Sequence, residues 1–302
     1  MSNPLETPFA GLIFKNPVVP ASGTFGFGEE YQAFYDLNQL GGFCTKGLTL
    51  LPQSGNTGTR LWETPAGMMN SIGLENPGVD AFIQNEWPRL KELDTNVIVN
   101  VGGKDEESYL EAIRKLNAID VAMIELNISC PNVKAGGMAY GTSAEKAGEI
   151  TGKVVDLSVH PVVVKLTPNV LDIAGIAKAC EDAGAQGISL INTIQAMAVD
   201  YKKKRNVFDN GYAGLSGPAV KPIALRMTHQ VIQAVKIPVM AMGGITTWED
   251  ALEFLMIGAR LVQIGTANFI DPMRPIRVIE GLEKYCEAEG LESINRIRGL
   301  LL

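Results

Sequence analysis

The chain has two histidines, His160 and His229, in 302 residues, and four cysteines, Cys44, Cys130, Cys180 and Cys286, with no C-x-x-C pair. Widely separated thiols without that spacing argue against zinc or an iron–sulfur cluster held by this chain. His160 follows a helical pattern and precedes Pro161, and His229 lies inside one. Both read as structural, so histidine-based catalysis is not expected. No apolar run is long enough to cross a bilayer. The opening M-S-N-P-L-E-T lacks a basic region followed by an apolar run, so no signal peptide is expected, and the cysteines are expected to be reduced thiols in a cytoplasm. The formal net charge is -7 and the one basic tract is Lys202 to Arg205, which excludes nucleic acid as an expected partner. That tract reads as a solvated, mobile loop. No G-x-G-x-x-G follows a strand-like run, a weak argument against a dinucleotide site.

What is present is ordinary for a globular chain, 46% hydrophobic and 20% charged. Thr7 to Phe14 alternates around Ala10-Gly11 and predicts a small hairpin. Short apolar runs at Pro17–Pro20, Gly42–Gly47, Asn96–Val101, Val121–Ile128, Val162–Leu166, Gly187–Ile191, Val239–Met242 and Leu261–Ile264 predict eight strands. Helical spacing separates most of them, at Glu29–Leu40, Val79–Leu93, Glu106–Leu116, Ser143–Val155, Ile173–Ala183, Pro218–Val235 and Trp248–Ile257, and closes the chain at Pro275–Glu289. Alternating strands and helices imply parallel strands, and eight such units in a chain somewhat longer than about 250 residues imply a TIM (β/α)8 barrel. The chain reads as one domain over residues 1–302. Two long segments, Leu48–Pro77 and Gln195–Gly217, carry no such pattern and read as βα-loop inserts over the barrel mouth.

Active sites of these barrels lie where strands end. Here the strand ends carry Ser22, Thr45-Lys46, Asn100, Asn127 with Ser129 and Cys130, Lys165, Asn192-Thr193, Gly243-Gly244 and Gly265-Thr266. In I-E-L-N-I-S-C-P-N-V, Cys130 stands beside amides and a stiff turn. A thiol there could move a proton on a small polar molecule, or be a small buried hydrophobe among turn-forming asparagines. Gly243-Gly244 and Gly265-Thr266 occupy the usual phosphate corner of the fold, with Gly217 nearby; these glycines could otherwise just make tight turns. Lys165, in V-V-V-K-L, fits a Schiff-base nucleophile, a charge that stabilises a reduced flavin, or a snorkelling side chain. Lys46 poses the same question, and two cations at one pocket suggest an anionic ligand or charge that develops during reaction.

Seven stretches, P-A-S-G-T-F-G, C-T-K-G-L-T, N-S-I-G-L-E-N-P-G, N-I-S-C-P-N-V, V-V-V-K-L-T-P-N, G-L-S-G-P-A-V-K-P-I-A-L-R and G-G-I-T-T-W-E-D-A, run in one order through the chain and resemble the dihydroorotate dehydrogenase family. The cysteine in N-I-S-C-P-N is similar to class 1 members, and the following V-K-A-G-G with the G-L-S-G run resembles the B-type catalytic subunit. The resemblance implies FMN in the barrel mouth and oxidation of dihydroorotate to orotate in pyrimidine biosynthesis. It implies that Ser22, Thr45, Lys46, Asn100, Asn127, Lys165, Ile191, Gly217, Gly243, Gly244, Gly265 and Thr266 hold FMN. Lys46, Asn70, Ser71, Ile72, Gly73, Leu74, Asn127, Asn192 and Thr193 would meet the substrate, and Cys130 would be the base. It also implies a partner subunit with FAD and a 2Fe–2S cluster that passes electrons to NAD, and a homodimer within a heterotetramer. The segment K-K-K-R-N-V-F-D-N-G-Y-A before G-L-S-G departs from the family pattern. Three other readings stay open on the residues: a Schiff-base aldolase barrel using Lys165, a different FMN-dependent pyrimidine reductase, and a non-catalytic scaffold that would leave Cys130, Lys46 and Lys165 convergent without a reason.

Overall fold

A computed structural model describes residues 3–129 and 140–302. Its centre is a parallel sheet of eight strands, Val18–Pro20, Gly42–Cys44, Asn96–Val101, Met123–Asn127, Val162–Lys165, Gly187–Leu190, Val239–Met242 and Leu261–Ile264. Each pairs with its sequence neighbour from the second strand to the eighth, and the eighth pairs with the first. The first and second strands close the TIM barrel without sharing a ladder. Asn16 spans that seam instead: its Oδ1 accepts the Gly41 N–H at 3.1 Å and its Nδ2 donates to the Gln39 carbonyl at 2.8 Å. A Cβ at Gly41 would sit 2.0 Å from the Asn16 carbonyl oxygen, so this approach admits only glycine.

The strands are buried on both faces, as parallel strands with helical crossovers must be. Side chains still alternate. Ile124 and Leu126 face the surrounding helices, while Met123 joins an interior cluster with Val19, Cys44, Ile98, Val163, Met240 and Leu261. Phe9 and Phe14 belong to that cluster too, their rings 6.1 Å apart and nearly perpendicular. They come from the hairpin Thr7–Phe9 and Leu12–Phe14, which therefore plugs the end where the strands begin. Burying each of these large side chains contributes roughly 1.5–3 kcal/mol. With that end filled by hydrocarbon, polar chemistry is confined to the end where the strands finish.

The helices begin where the chain supplies a cap. Asp105 and Ser108 form a capping box for Glu106–Leu116, and Thr247 and Asp250 do the same for Trp248–Met256. Ser143 and Asp172 cap Ala144–Leu157 and Ile173–Asp182. The expected helix over Glu29–Leu40 is two short 3-10 turns, Glu29–Ala33 and Leu37–Gln39. The first starts from Gly28 with no side-chain cap, and Asp36 takes an extended conformation to cap the second, which breaks the run. The helix starting at Val79 is also irregular. It widens to a π-type turn over Phe82–Glu86 just before Pro88, which has no N–H to donate. A short helix, Ala267–Ile270, follows the eighth strand where the sequence shows no helical pattern.

The two inserts are one structure rather than two irregular loops. Leu61–Thr64 pairs with Gly67–Asn70, which pairs with Ala213–Ser216, which pairs with Ile194–Ala196, all antiparallel. Met69, Val207, Phe208 and Ala213 form its own small core. The basic tract lies at the turn of a second hairpin, Val199–Asp200 with Arg205–Asn206, and is exposed. Among the described residues no helix is long and apolar enough to cross a membrane.

Candidate active site

Strand alternation places Glu125 and Asn127 on the same inward face as Met123, one layer after another toward the open end of the barrel. Lys165 is directly beside Asn127 in the ladder, and Ser189 is beside Lys165. Glu125 is fully buried, and its carboxylate is saturated. Oε1 accepts from Ser189 Oγ and from Gln263 Nε2, each at 2.8 Å. Oε2 accepts from Asn100 Nδ2 at 2.5 Å and pairs with Lys165 Nζ at 3.4 Å. Burial alone pushes this carboxyl up. The Lys165 charge and the hydrogen bonds from Gln263, Asn100 and Ser189 outweigh it and hold Glu125 below the usual carboxylate range. The Lys165 side chain is 5% exposed, so it does not snorkel to solvent.

Because a carboxylate only accepts, it orients what surrounds it. Asn100 must present Nδ2 to Glu125, so its Oδ1 faces away and accepts from Asn127 Nδ2 at 3.3 Å. Asn127 Oδ1 in turn accepts from Ser129 Oγ at 2.5 Å, and Ser129 Oγ accepts from Asn192 Nδ2 at 2.5 Å. Asn192 Oδ1 takes the Thr193 N–H at 2.7 Å. The result is one directed chain of donors running from the sixth strand's end to a buried anion. Asn127 ends its barrel strand, Asn100 is the next-to-last residue of its own, and Ser129 and Asn192 each lie two residues past a strand. Tyr109 anchors the same strand by donating to the Asn127 carbonyl at 2.9 Å.

Thr45 Oγ1 accepts the Asn100 N–H at 3.3 Å. The Ser22 N–H lies on the Cys44 thiol, which burial first and the Glu125 charge second push well above its ordinary value. Cys44 is thus a buried, protonated thiol. Leu74 reaches the same layer: a Cβ on Gly47 would lie 2.8 Å from Asn100 Oδ1 and 3.6 Å from Leu74 Cδ2. The segment from Asn70 to Leu74 is held by Asn56, whose N–H donates to the Ile72 carbonyl at 2.9 Å and whose Nδ2 donates to Ser71 Oγ at 3.0 Å. Gly73 lies against Asn56 with φ +76°. Gly214 ties Asn70 to Thr193, since Asn70 Nδ2 donates to its carbonyl at 3.4 Å and a Cβ there would be 2.0 Å from Thr193 Oγ1.

The glycines form a second cluster. Gly217, Gly243 and Gly244 have φ of +98°, +131° and +75°. A Cβ on Gly243 would lie 2.6 Å from Ala224 Cβ and 3.3 Å from Ile191 Cγ1, and one on Gly244 would lie 2.7 Å from Lys221 Cβ. Backbone conformation and packing therefore explain these glycines without a ligand. Gly265 differs. It has no left-handed φ, and a Cβ there would meet nothing closer than Ala21 Cβ at 3.8 Å. Its missing side chain leaves an open corner beside Thr266, whose Oγ1 donates to Ser216 Oγ at 2.8 Å. That corner fits a phosphate group approached by backbone N–H donors.

Two expected residues stand apart from these contacts. Lys46 is half-buried, held by its N–H on the Gly26 carbonyl at 2.8 Å, and its ammonium makes no hydrogen bond or ion pair among the described residues. Cys130 lies outside the described residues.

The sequence profile of the dihydroorotate dehydrogenase family matches residues 4–286. The chain belongs to the dihydroorotate dehydrogenase family. It is 50% identical over 292 residues, 97% of either chain, to the dihydroorotate dehydrogenase B (NAD(+)) catalytic subunit of Petrotoga mobilis. It is 52% identical over 297 residues, 98% of either chain, to the protein of that name from Thermoanaerobacter pseudethanolicus. The one from Alkaliphilus metalliredigens is 50% identical over the same length. The sequence pattern points to polar residues at strand ends and not to the layer beneath them, Glu125, Ser189 and Gln263. A signal was available. A glutamate in the buried run M-I-E-L-N, two residues before Asn127, must share its inward face.

Proposed function

We propose that the chain oxidises dihydroorotate to orotate in pyrimidine biosynthesis, as an FMN-dependent catalytic subunit. The observation that carries this reading is the juxtaposition of a buried, ion-paired Lys165 and a directed amide chain at the open end of a barrel. Near-full-length identity to catalytic subunits of that name supports it. FMN, when bound, supplies the two-electron redox chemistry. Gly217, Gly243, Gly244, Gly265 and Thr266 would hold its phosphate, and Ser22, Thr45, Lys46, Asn100, Asn127, Lys165 and Ile191 would hold the rest.

The chain's own residues bind, orient and move a proton. Asn70 to Leu74, Asn127, Asn192 and Thr193, with Lys46, would grip the pyrimidine ring and carboxylate, since amides supply both donors and acceptors. Directed hydrogen bonding down to Glu125 sets which atom each amide offers. Cys130 would take the proton beside the substrate carbonyl, a general-base role. The aldolase alternative needs an uncharged lysine amine; an ammonium paired with Glu125 at 3.4 Å supports the electrostatic role instead.

Electrons would leave through a partner subunit carrying FAD and a 2Fe–2S cluster, then pass to NAD. The partner would dock near the barrel mouth, on a homodimer of this chain within a heterotetramer, in the cytoplasm. The test is the visible spectrum of the purified chain before and after dihydroorotate. A yellow protein that bleaches anaerobically with dihydroorotate and releases one FMN per chain on denaturation is expected. A colourless protein that gains no flavin absorbance from added FMN would sink the reading, and one that bleaches with another pyrimidine alone would favour the reductase.

A further inference from the structure

We propose that Glu125 is a positioning residue of this site: a buried counter-charge that holds the Lys165 ammonium and sets how strongly the site favours a negatively charged reduced flavin. This rests on the reading above that the site holds FMN beside Lys165.

Glu125 has no free lone pair to offer a ligand. Both oxygens are fully engaged by Ser189, Gln263, Asn100 and Lys165. Its immediate interior neighbours are otherwise apolar or neutral: Met123, Met240 and Cys44. Fold stability alone does not require an ion pair there. A buried ion pair replaced by well-packed apolar side chains is often as stable or more so. A group kept despite that desolvation cost is explained if its charge is used. The pair is neutral as a whole. Lys165 alone would present a full positive charge in a low-dielectric interior, where a charge acts strongly on its surroundings. With Glu125 at 3.4 Å, the site presents a dipole with the ammonium on the strand-end side. Glu125 thus restrains a cation that would otherwise bias the cofactor further toward its anionic reduced form, and fixes where that cation sits.

Opposite charges then make opposite predictions for one measurable quantity. The chain is loaded with FMN, and the ratio of reduced to oxidised flavin is read against a reference dye at pH 7. At a given dye potential, Glu125→Gln raises that ratio at least tenfold, about 30 mV for a two-electron couple. Lys165→Gln lowers it at least tenfold, and the double variant returns to within threefold of the unmutated chain. Glu125→Asp, which keeps the charge, stays within threefold. A loosened site would not give opposite signs. A Glu125→Gln chain that binds FMN at full stoichiometry with an unmoved or lowered ratio overturns the proposal. Should that variant fail to fold, the double variant, with no buried charge, is compared with Lys165→Gln: a tenfold higher ratio supports the proposal and an equal ratio overturns it. An unmutated chain that takes up no FMN instead sinks the functional reading, and this inference with it.

Discussion

Gly217 meets Gly67 backbone to backbone: a Cβ on Gly217 would lie 2.7 Å from Gly67 Cα. One glycine ends the second insert and the other starts a strand of the first, so this contact locks the two inserts at the edge of the glycine corner. A Cβ on Gly244 would in turn lie 3.0 Å from the Gly217 carbonyl oxygen, which brings the seventh barrel strand's turn into the same lock.

Gly217 and Gly265 are therefore expected to respond differently to alanine. Gly217→Ala meets both a left-handed φ and a backbone clash, and should cost about 1–3 kcal/mol of stability. Gly265→Ala has room and ordinary φ, so its stability should change by no more than about 0.5 kcal/mol, while FMN affinity falls because the side chain occupies the phosphate corner. Urea denaturation and FMN titration of both variants check this. Unchanged FMN affinity in Gly265→Ala would remove that residue from the phosphate site.

Cys130→Ser is expected to slow reduction of bound flavin by dihydroorotate about 10²–10⁴-fold near neutral pH, with FMN still bound. Serine is the weaker base, so the deficit should shrink as pH rises. Stopped-flow reduction across pH reads it, and a rate equal to the unmutated chain throughout assigns the base elsewhere.

Lys165→Ala should destabilise the fold at pH 7 by about 3–5 kcal/mol, because it leaves the Glu125 carboxylate buried without its counter-charge. The loss should be smaller in acid, where protonation neutralises Glu125. In the unmutated chain the sign is the reverse. Glu125 is held below its ordinary range, so the stability it contributes is present above the unfolded value of about 4.3 and is lost as pH falls through the lower folded value. Urea denaturation from pH 6 to pH 3 should thus fall less steeply in Glu125→Gln. Parallel pH profiles for the two chains would show that Glu125 is not the depressed group.

The isolated chain should reduce artificial dyes with dihydroorotate but reduce NAD poorly, and addition of the FAD-containing partner should restore NAD reduction. Steady-state assays with and without the partner decide it. Fast NAD reduction by the chain alone would refute the relay.

Local chemistry settled the barrel. Apolar runs such as V-V-V-K and V-M-A-M suffice to make strands buried on both faces, and residues such as Asp105, Ser143 and Thr247 start helices by supplying oxygen to free N–H groups. The residues around the ends of those strands, from Asn100 to Thr266, are legible for the same reason, since they lie within three residues of where an apolar run stops. Tertiary structure decided the rest. Leu48–Pro77 and Gln195–Gly217 have little apolar pattern of their own, and become a sheet only because the barrel brings Gly67–Asn70 beside Ala213–Ser216. Strand alternation puts Glu125 on the inward face, but its surroundings show only in the fold, because Ser189 and Gln263, 64 and 138 residues away, supply its donors. A charge inside a barrel is tolerable only through partners far off in the chain, and only the closed fold assembles them.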